Sequence, residues 1–451
     1  MASIKEVNVG NVVVAVIGGG SSMFVPALVR GMLEVDAFAG AELRLMDVDR
    51  DRLAVMADLA TKLSQAEGRD LEVVTTLDQR EALSGVTFAI VAISVGGMAA
   101  WESDIEVPGR SGVFMHIADS IGPGGIFRAL RNTPVVASVA RHLAEVAPSA
   151  FLFNYTNPAS ANAMAMAKVS PVRSLSLCSC SPRPFQREWL AELVGVGQGD
   201  VVVPMKVGGI NHCTGILELQ LRDGTDATPI VRERQGSEVV RWAIDTFGVI
   251  PYCWEHWTEF FPQLQRLVAP YQGRAEGLPM RYGRHIYDMD QQRQRVRGWE
   301  EVAKSWAADG REHKLADLPH GPEDEGIVVV EVMEAVLEDR AERFVVNVPN
   351  RGLVPNLPET AVVEVPALVN AEGAHPIGIG PLPGGLAAVL SRHALVQELT
   401  ADAALSGDKR LLRQAMTADP LLDATLEPSE IEALMNEMLK VNASFLPQFG
   451  H

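Results

Sequence analysis

Cysteine is scarce in this sequence: 451 residues contain only Cys178, Cys180, Cys213 and Cys253. So few cysteines cannot form the disulfide scaffold of a secreted protein, which favours a reducing compartment with at least one functional thiol. Long apolar runs are also missing, since none reaches the roughly 20 residues that span a bilayer. The first 20 residues lack the basic, apolar and cleavage segments of a secretory signal. We therefore expect a cytoplasmic protein without membrane association.

Positive charge is in short supply as well. The chain has 39 lysines and arginines against 57 acidic residues, which gives a formal net charge of −18. A surface of this sign repels polyphosphate backbones, so nucleic acid is not an expected partner. Hydrophobic residues make up 47% and charged residues 21% of the chain. These fractions are ordinary for a globular protein, and the length suffices for two closely joined domains.

Short β-branched runs alternate with helical patterns over the first 200 residues. The run VVVAVI at 12–17 predicts a buried parallel strand, because such strands are apolar on both faces. Further strand candidates lie at 42–48, 71–77, 86–95 and 149–156. This alternation predicts an α/β fold with an N-terminal, Rossmann-like, doubly wound parallel sheet.

The pattern changes near residue 200, which predicts a mixed α+β C-terminal half. Strands are expected at 201–211 and 214–223, and again at 343–350 and 360–369. Helical patterns dominate 228–345 and 386–444. No repeat or low-complexity linker separates the halves, so we expect domains at 1–200 and 201–451 with an interwoven boundary.

A glycine-rich turn joins the first predicted strand to the next helix. Its residues are Gly18, Gly19, Gly20, Ser21 and Ser22. Glycines let the backbone approach a pyrophosphate, and the helix N-terminus offers free N–H groups. Asp47, at the end of the second predicted strand, can accept hydrogen bonds from ribose hydroxyls and would repel a 2′-phosphate. We therefore predict NAD rather than NADP here; a turn without a ligand is the structural alternative. Asp49 either shares the ribose role or is a solvated turn residue.

Several short motifs follow in a fixed order along the chain. They are DIEVP (104–108), DSIGPGG (119–125), RALRNTP (128–134), NYTNP (154–158), LC (177–178), GINH (209–212), RFVVNVPNRG (343–352) and VVEVPALV (362–369). Together these motifs resemble glycoside hydrolase family 4, whose members are similar in fold to lactate and malate dehydrogenases. The resemblance assigns 1–200 to NAD binding and 201–451 to substrate binding, metal binding and oligomerisation.

The resemblance implies hydrolysis through a redox detour. In the family, NAD takes hydride from C3 of the sugar, a base removes the C2 proton, and the aglycone leaves C1. Water then adds, and the same NADH reduces C3. A divalent cation, usually Mn²⁺, stabilises the enolate. The resemblance places it on Cys178 and His212, although a thiolate–imidazole pair by itself would suggest zinc or iron. Cys180 stays an alternative ligand.

The base and the acid are harder to assign. The segment EHWTEF (255–260) is similar to an E-H-x-x-E-Y motif of the α-galactosidase and α-galacturonidase branch, which makes His256 a candidate base or metal neighbour. Tyr282 is the other candidate base, by similarity to the phospho-sugar branches. A packed histidine and a core tyrosine are the structural alternatives. Ser179 stands where many members carry an acid, so the leaving-group acid stays unassigned.

The predicted substrate site contains Asn157, His116, Asp119 and Arg131. His116 and Arg131 could bind a uronate carboxylate or be structural, and Asn157 could instead cap the turn before the next proline. The arginine of the phospho-sugar branches is missing, and Glu102 stands in that stretch, where it would repel a phosphate. The substrate is therefore expected to be a non-phosphorylated α-glucoside, α-galactoside or uronide.

Two other functions compete with the glycosidase. The same fold and cofactor suit an NAD-dependent sugar or hydroxy-acid oxidoreductase that releases NADH. A non-catalytic sugar- or nucleotide-responsive binding protein would require loss of the metal pair, and both residues are present. We expect the protein to form a homodimer or homotetramer.

Overall fold

The computed structural model describes residues 12–115, 117–204, 206–267, 289–308, 314–315 and 326–450. Two predicted site residues, His116 and Tyr282, lie outside them. The strands are β1 (Val13–Ile17), β2 (Glu42–Met46), β3 (Glu72–Thr76), β4 (Phe88–Val91), β5 (Phe151–Asn154), β6 (Arg173–Ser176), β7 (Val201–Val202), β8 (Val207–Ile210), β9 (Cys213–Ile216), β10 (Gln220–Leu221), β11 (Ile250–Pro251), β12 (Glu342–Pro349), β13 (Val362–Asn370) and β14 (Gly373–Pro376).

The helices of the described residues alternate with these strands in the first half and cluster in the second. They are α1 (Val25–Glu34), α2 (Arg50–Ala66), α3 (Gln79–Leu83), α4 (Gly97–Arg110), α5 (Gly122–Val146), α6 (Ala159–Val169), α7 (Arg187–Val194), α8 (Thr228–Arg234), α9 (Glu238–Phe247), α10 (Trp254–Phe260), α11 (Met289–Ala308), α12 (Ile327–Leu337), α13 (Gly384–Ser406), α14 (Lys409–Ala418), α15 (Pro420–Asp423) and α16 (Pro428–Val441). Each of them is too short or too polar to cross a lipid bilayer.

The first six strands form a parallel sheet in the order β3-β2-β1-β4-β5-β6. This order is typical of doubly wound dinucleotide-binding folds, and it confirms the predicted Rossmann-like half. Along β1, alternate residues pack into two different cores. Val14 and Val16 join a cluster that includes α1, α2 and α12, whereas Ala15 and Ile17 join one that includes α3, α5 and α6. Burial on both faces explains why this strand is apolar throughout.

The same sheet continues into the second half of the chain through antiparallel strands. β12 pairs with β6 at a single position, Asn347 opposite Ser176, and β13, β8, β9 and β11 follow in that order. The predicted mixed α+β half is therefore confirmed. The strand expected over 201–211 is divided into β7 and β8 at a segment that contains Pro204, a residue that cannot donate a ladder hydrogen bond.

The C-terminal helices pack on helices of the first half. Side chains from α13, α14 and α16 pack against α4 and α5 in a third apolar cluster. A fourth cluster packs around β8, β9 and β11, at the end of the mixed sheet away from β3, and contains three cysteines, Cys178, Cys180 and Cys253.

Candidate active site

The carboxyl ends of the parallel strands bring together predicted residues that are distant in sequence. The glycine turn follows β1, Asp47 follows β2, Asn157 lies three residues beyond β5, and Cys178 lies two residues beyond β6. In open α/β sheets, ligands bind at this edge because the loops leaving it converge there. Gly18 has a φ of +102°, and a Cβ on it would lie 2.2 Å from the Ala92 carbonyl oxygen. Only glycine fits this turn.

Asp47 and Asp49 have different structural roles. Asp47 accepts hydrogen bonds from the amides of Gly20, at 2.9 Å, and of Asp49, at 3.0 Å, which holds its carboxylate against the glycine turn. Asp49 is the N-cap of α2 and accepts from the amides of Asp51 and Arg52. The structure thus supports a helix-capping role for Asp49. Between the two, Val48 is 89% exposed and presents an apolar side chain beside Asp47.

Four of the predicted residues form one cluster, in which Asp119 and His212 are buried and Asn157 and His256 are half-buried. The Asp119 Oδ1 atom lies 3.5 Å from the Nδ1 atom of His212 and 3.7 Å from that of His256. The two imidazole rings stack with centroids 3.6 Å apart. Asn157 donates its side-chain amide to Asp119 Oδ2 at 2.8 Å. Asp119, His212 and His256 each offer a donor atom within 4.8 Å of the others, so they can hold a cation together.

The local backbone and one hydroxyl orient His212. His212 and Asn211 form the two-residue turn between β8 and β9, and His212 has a left-handed φ of +69°. Such a conformation is uncommon for a residue with a side chain and often marks a functional position. The Ser120 Oγ atom lies 2.6 Å from His212 Nδ1 and 2.8 Å from Asp119 Oδ1. If Ser120 donates to Asp119 and accepts from Nδ1–H, His212 Nε2 keeps its lone pair for a metal.

Cys178, rather than Cys180, contacts His212. Burial lowers the pKa of His212, but the charge of Asp119, followed by the charge and the hydrogen bond of Cys178, raises it well above its usual value. A hydrogen bond with Cys180 raises the pKa of Cys178 to about 11. Burial alone would raise the pKa of Asp119, but His212, then His256 and Arg128, hold it well below its usual range. Asp119 is therefore an anion between two histidines.

Asn211 adds an unsatisfied polar group beside this cluster. Its side chain is only 2% exposed, and neither its nitrogen nor its oxygen makes a hydrogen bond within the described part of the chain. A buried amide without partners costs roughly 1–3 kcal/mol, so such a group is retained where a ligand satisfies it. Its position directly before His212 fits a site that is completed by a ligand.

Arg131 is not part of this cluster. Its side chain is 1% exposed, and its guanidinium donates to both carboxylate oxygens of Asp104 and to Asn442. A guanidinium with all these partners has no room for a uronate carboxylate, so the structural alternative applies. Arg128, one helical turn earlier, is the arginine whose charge acts on Asp119. Sequence reasoning missed it, although the i, i+3 spacing within one motif is the available signal.

Glu102 also differs from the expectation. It forms an ion pair with Arg293 of α11, so its negative charge is neutralised in the structure. Glu102 by itself therefore gives little repulsion of a phosphate, because Arg293 lies beside it. The expectation of a non-phosphorylated substrate depends on the missing arginine of the phospho-sugar branches.

Three more buried residues lie near the cluster, and the sequence alone does not assign them a role: Glu259, Glu364 and Tyr252. Glu259 accepts hydrogen bonds from the amides of Ile117 and Ala118, at 2.6 and 2.8 Å, and so links α10 to the loop of Asp119. Glu364 accepts from Thr214 behind the His212 turn at 2.5 Å. Tyr252 is fully buried, and burial raises the pKa of its hydroxyl well above its ordinary value.

Comparison with known proteins agrees with this geometry. The family model described as "Family 4 glycosyl hydrolase" matches residues 13–186, and the model for the C-terminal domain of the same family matches 207–422. An α-galactosidase of Rhizobium meliloti is 28% identical over 97% of this chain and 90% of its own length. An α-galacturonidase of Bacillus subtilis is 30% identical over 95% of this chain and 96% of its own.

A solved structure extends the agreement to the fold. The 6-phospho-α-glucosidase from gut microorganisms, crystallised in complex with NAD and Mn²⁺, superposes with a TM-score of 0.78. The match covers 97% of this chain and 99% of the other at 21% identity, which shows a shared fold. The two family models and the α-galacturonidase match together span nearly the whole chain, and the chain belongs to family 4 of the glycosyl hydrolases.

Proposed function

We propose that this chain is a glycosidase that uses NAD and a divalent cation, Mn²⁺ by family, to hydrolyse a non-phosphorylated α-glycoside or uronide. One observation carries the proposal: Cys178, His212, His256 and Asp119 converge at the sheet edge that also carries the glycine turn and Asp47. A cation site beside a dinucleotide site is what oxidation at C3 and deprotonation at C2 of a sugar require.

The residues present fit both a divalent cation and NAD. The Cys178 thiol, the two imidazoles and the Asp119 carboxylate can bind a divalent cation. The unsatisfied amide of Asn211 beside them marks the place of a ligand. At the other site, Asp47 can accept ribose hydroxyls, and exposed Val48 offers an apolar surface for an adenine ring. When bound, the cation supplies charge stabilisation at the sugar oxygens and NAD supplies reversible hydride transfer.

The remaining steps fall to the side chains of the cluster. Asn157 and Asp119, whose side chains are joined by a 2.8 Å hydrogen bond, are our candidates for binding sugar hydroxyls. His256 is our candidate for the C2 base, because its ring stacks on His212 and lies beside the Asp119 carboxylate, which would stabilise the imidazolium formed. Tyr282 stays a second candidate, and it lies outside the described residues, as does His116.

The substrate class rests on the relatives and on the missing arginine. The two relatives named above are an α-galactosidase and an α-galacturonidase, and both names denote non-phosphorylated substrates. A panel of nitrophenyl α-galactoside, α-glucoside and α-galacturonide, each with and without a 6-phosphate where the sugar allows it, tests this. We expect nitrophenol release only with NAD, Mn²⁺ and reductant present, and only from the non-phosphorylated members.

The competing oxidoreductase is tested in the same assay. A glycosidase of this type returns the hydride within each turnover, so nitrophenol accumulates without NADH. Accumulation of one NADH per product molecule would establish the sugar or hydroxy-acid oxidoreductase instead. The Cys178→Ser variant should lose activity, whereas Cys213→Ala, which changes a buried cysteine directly beside His212, serves as the matched control.

We also propose a cytoplasmic location and a homodimer or homotetramer. The location is supported by the four cysteines, which are all free thiols in the structure. The oligomer stays a prediction, and sedimentation equilibrium of the purified chain measures it directly.

A further inference from the structure

Three cysteines from two separate loops form a second cluster of donor atoms beside the proposed active site. Cys178 and Cys180 follow β6, and Cys253 follows β11. Their sulfur atoms lie within 4.8 Å of one another, and all three side chains are buried and free of disulfides. We propose that this three-cysteine cluster binds a soft, thiophilic cation such as Cd²⁺, Zn²⁺ or Cu⁺, in a mode that excludes the catalytic cation.

The sulfur geometry suits such an ion. A zinc–sulfur distance of about 2.3 Å places two sulfurs of a tetrahedral site roughly 3.8 Å apart, so the cluster has to contract by only about 1 Å. The three thiols are mutual hydrogen-bonding partners, so each sulfur already lies within reach of the other two. Binding exchanges the thiol protons for the cation and releases them to solvent.

The surroundings supply charge and hydrogen bonding for bound thiolates. Arg183 places a positive charge near Cys180 and donates to the Tyr252 carbonyl at 2.9 Å. The charges of the three cysteines act on the hydroxyl of Tyr252, a residue that is 1% exposed and whose hydroxyl makes no hydrogen bond within the described residues. A buried hydroxyl without a partner is costly, and a metal thiolate is an acceptor that would satisfy it. Sulfur ligands select soft cations over Mn²⁺ and Mg²⁺.

The cluster shares one residue with the proposed catalytic site. Cys178 hydrogen-bonds His212 on one side and the other two cysteines on the other. A cation held by all three sulfurs therefore withdraws Cys178 from the His212 site, so soft cations should displace Mn²⁺. This exclusion rests on the proposed function, whereas binding by the three sulfurs does not.

Cadmium titration of the metal-free chain tests the binding. The ultraviolet charge-transfer absorption of cadmium thiolates reports the number of bound sulfurs. We expect one Cd²⁺ per wild-type chain with the signal of three thiolates. Cys253→Ser and Cys180→Ser should each reduce the signal by about one third. Each should also weaken Cd²⁺ binding by more than roughly 10- to 100-fold, the usual cost of losing a group that only hydrogen-bonds a metal ligand, because each removes a direct ligand. Cys213→Ala, outside the cluster, should behave as wild type.

Two further measurements keep the outcomes distinct. X-ray absorption of the cadmium-loaded wild type counts sulfur ligands without any substitution: three supports the proposal, and one overturns it by placing Cd²⁺ on the Cys178–His212 pair alone. Electron paramagnetic resonance of free Mn²⁺ follows displacement: Cd²⁺ should release Mn²⁺ from the wild type at lower concentration than from the Cys180→Ser/Cys253→Ser variant. Failure to bind Mn²⁺ at all would contradict the proposed function and leave the cadmium result standing.

Discussion

His212 owes its position to one hydroxyl and one turn. The Ser120 Oγ atom hydrogen-bonds the Nδ1 atom of His212 at 2.6 Å. The left-handed turn between β8 and β9 directs the imidazole ring towards Asp119. A ligating histidine whose second nitrogen is held in this way keeps one tautomer and one orientation. Ser120 is thus expected to act on metal affinity without touching the metal.

Substitution of Ser120 by alanine measures this effect. Ser120→Ala should weaken Mn²⁺ binding by roughly 10- to 100-fold, because the imidazole loses its orienting partner. The matched control is Ser103→Ala, which removes a hydroxyl that donates to the Ala99 carbonyl on an exposed helix surface. Calorimetric titration of both variants with Mn²⁺ decides the point; equal dissociation constants would rule out the orienting role.

Substitutions of Asp47 and Asp49 should have different effects, because we assign Asp47 to nucleotide binding and Asp49 to capping of α2. Asp47→Ala should lower NAD affinity by roughly 10- to 100-fold, the equivalent of about 1.5–3 kcal/mol for hydrogen bonds to a charged group, and should reduce the preference for NAD over NADP. Asp49→Ala should leave NAD affinity unchanged and cost about 1 kcal/mol of unfolding free energy, since it removes the cap of α2. Fluorescence titration and urea unfolding measure the two effects, and the reverse pattern would contradict these roles.

At the scale of the element, α10 joins the active site to the C-terminal helices. This helix carries His256 and Glu259, and Glu259 accepts a hydrogen bond from a backbone amide of the loop that contains Asp119. The carbonyl of its last residue, Phe260, accepts a hydrogen bond from His393 of α13 at 2.8 Å. Burial lowers the pKa of His393 to about 4. His393 is therefore neutral in the folded protein and donates from Nε2.

This buried histidine predicts acid sensitivity. The folded pKa is below the unfolded value of 6.5, so the folded state binds fewer protons, and the stability is complete above pH 6.5 and is lost as the pH falls towards 4. Between pH 7 and pH 5 the loss from this group is about 2 kcal/mol. Urea unfolding at both pH values should show a smaller loss in His393→Gln, whose amide can still donate to Phe260. Equal losses in the two proteins would contradict the assignment.

The sequence predicts those site residues that lie just beyond the carboxyl ends of the parallel strands. Because parallel strands end at one edge, the positions of Gly18, Asp47, Asn157 and Cys178 follow from recognising four strands. Contacts between distant elements do not follow in this way. Nothing local to Arg131 indicates that Asp104 neutralises it, and the approach of Cys253 to the loop after β6 depends on the antiparallel extension of the sheet.

For the molecule as a whole, the ion pair of Arg131 and Asp104 anchors the C-terminal helices. Both side chains are buried between α4 and α5, and Asn442, at the end of α16, accepts from the same guanidinium at 2.7 Å. Removing one member of a buried pair leaves an uncompensated charge, which typically costs about 3–5 kcal/mol. The pair is expected to matter for stability and not for substrate selection.

A double substitution tests that expectation. Arg131→Met should lower the free energy of unfolding by about 3–5 kcal/mol, and adding Asp104→Leu should recover much of the loss, since the unpaired carboxyl is then removed as well. Urea unfolding of the three proteins measures this. A selective rise in KM for a uronide in Arg131→Met, without loss of stability, would instead place Arg131 in the substrate site.

Cleavage of the glycosidic bond by this enzyme is expected to require removal of the sugar's C2 proton. Hydrolysis of a nitrophenyl glycoside in heavy water, with NAD and Mn²⁺, measures whether that proton is lost. We expect deuterium from solvent at C2 of the released sugar and no accumulation of NADH. A released sugar that keeps only its original hydrogen at C2 would rule out this mechanism.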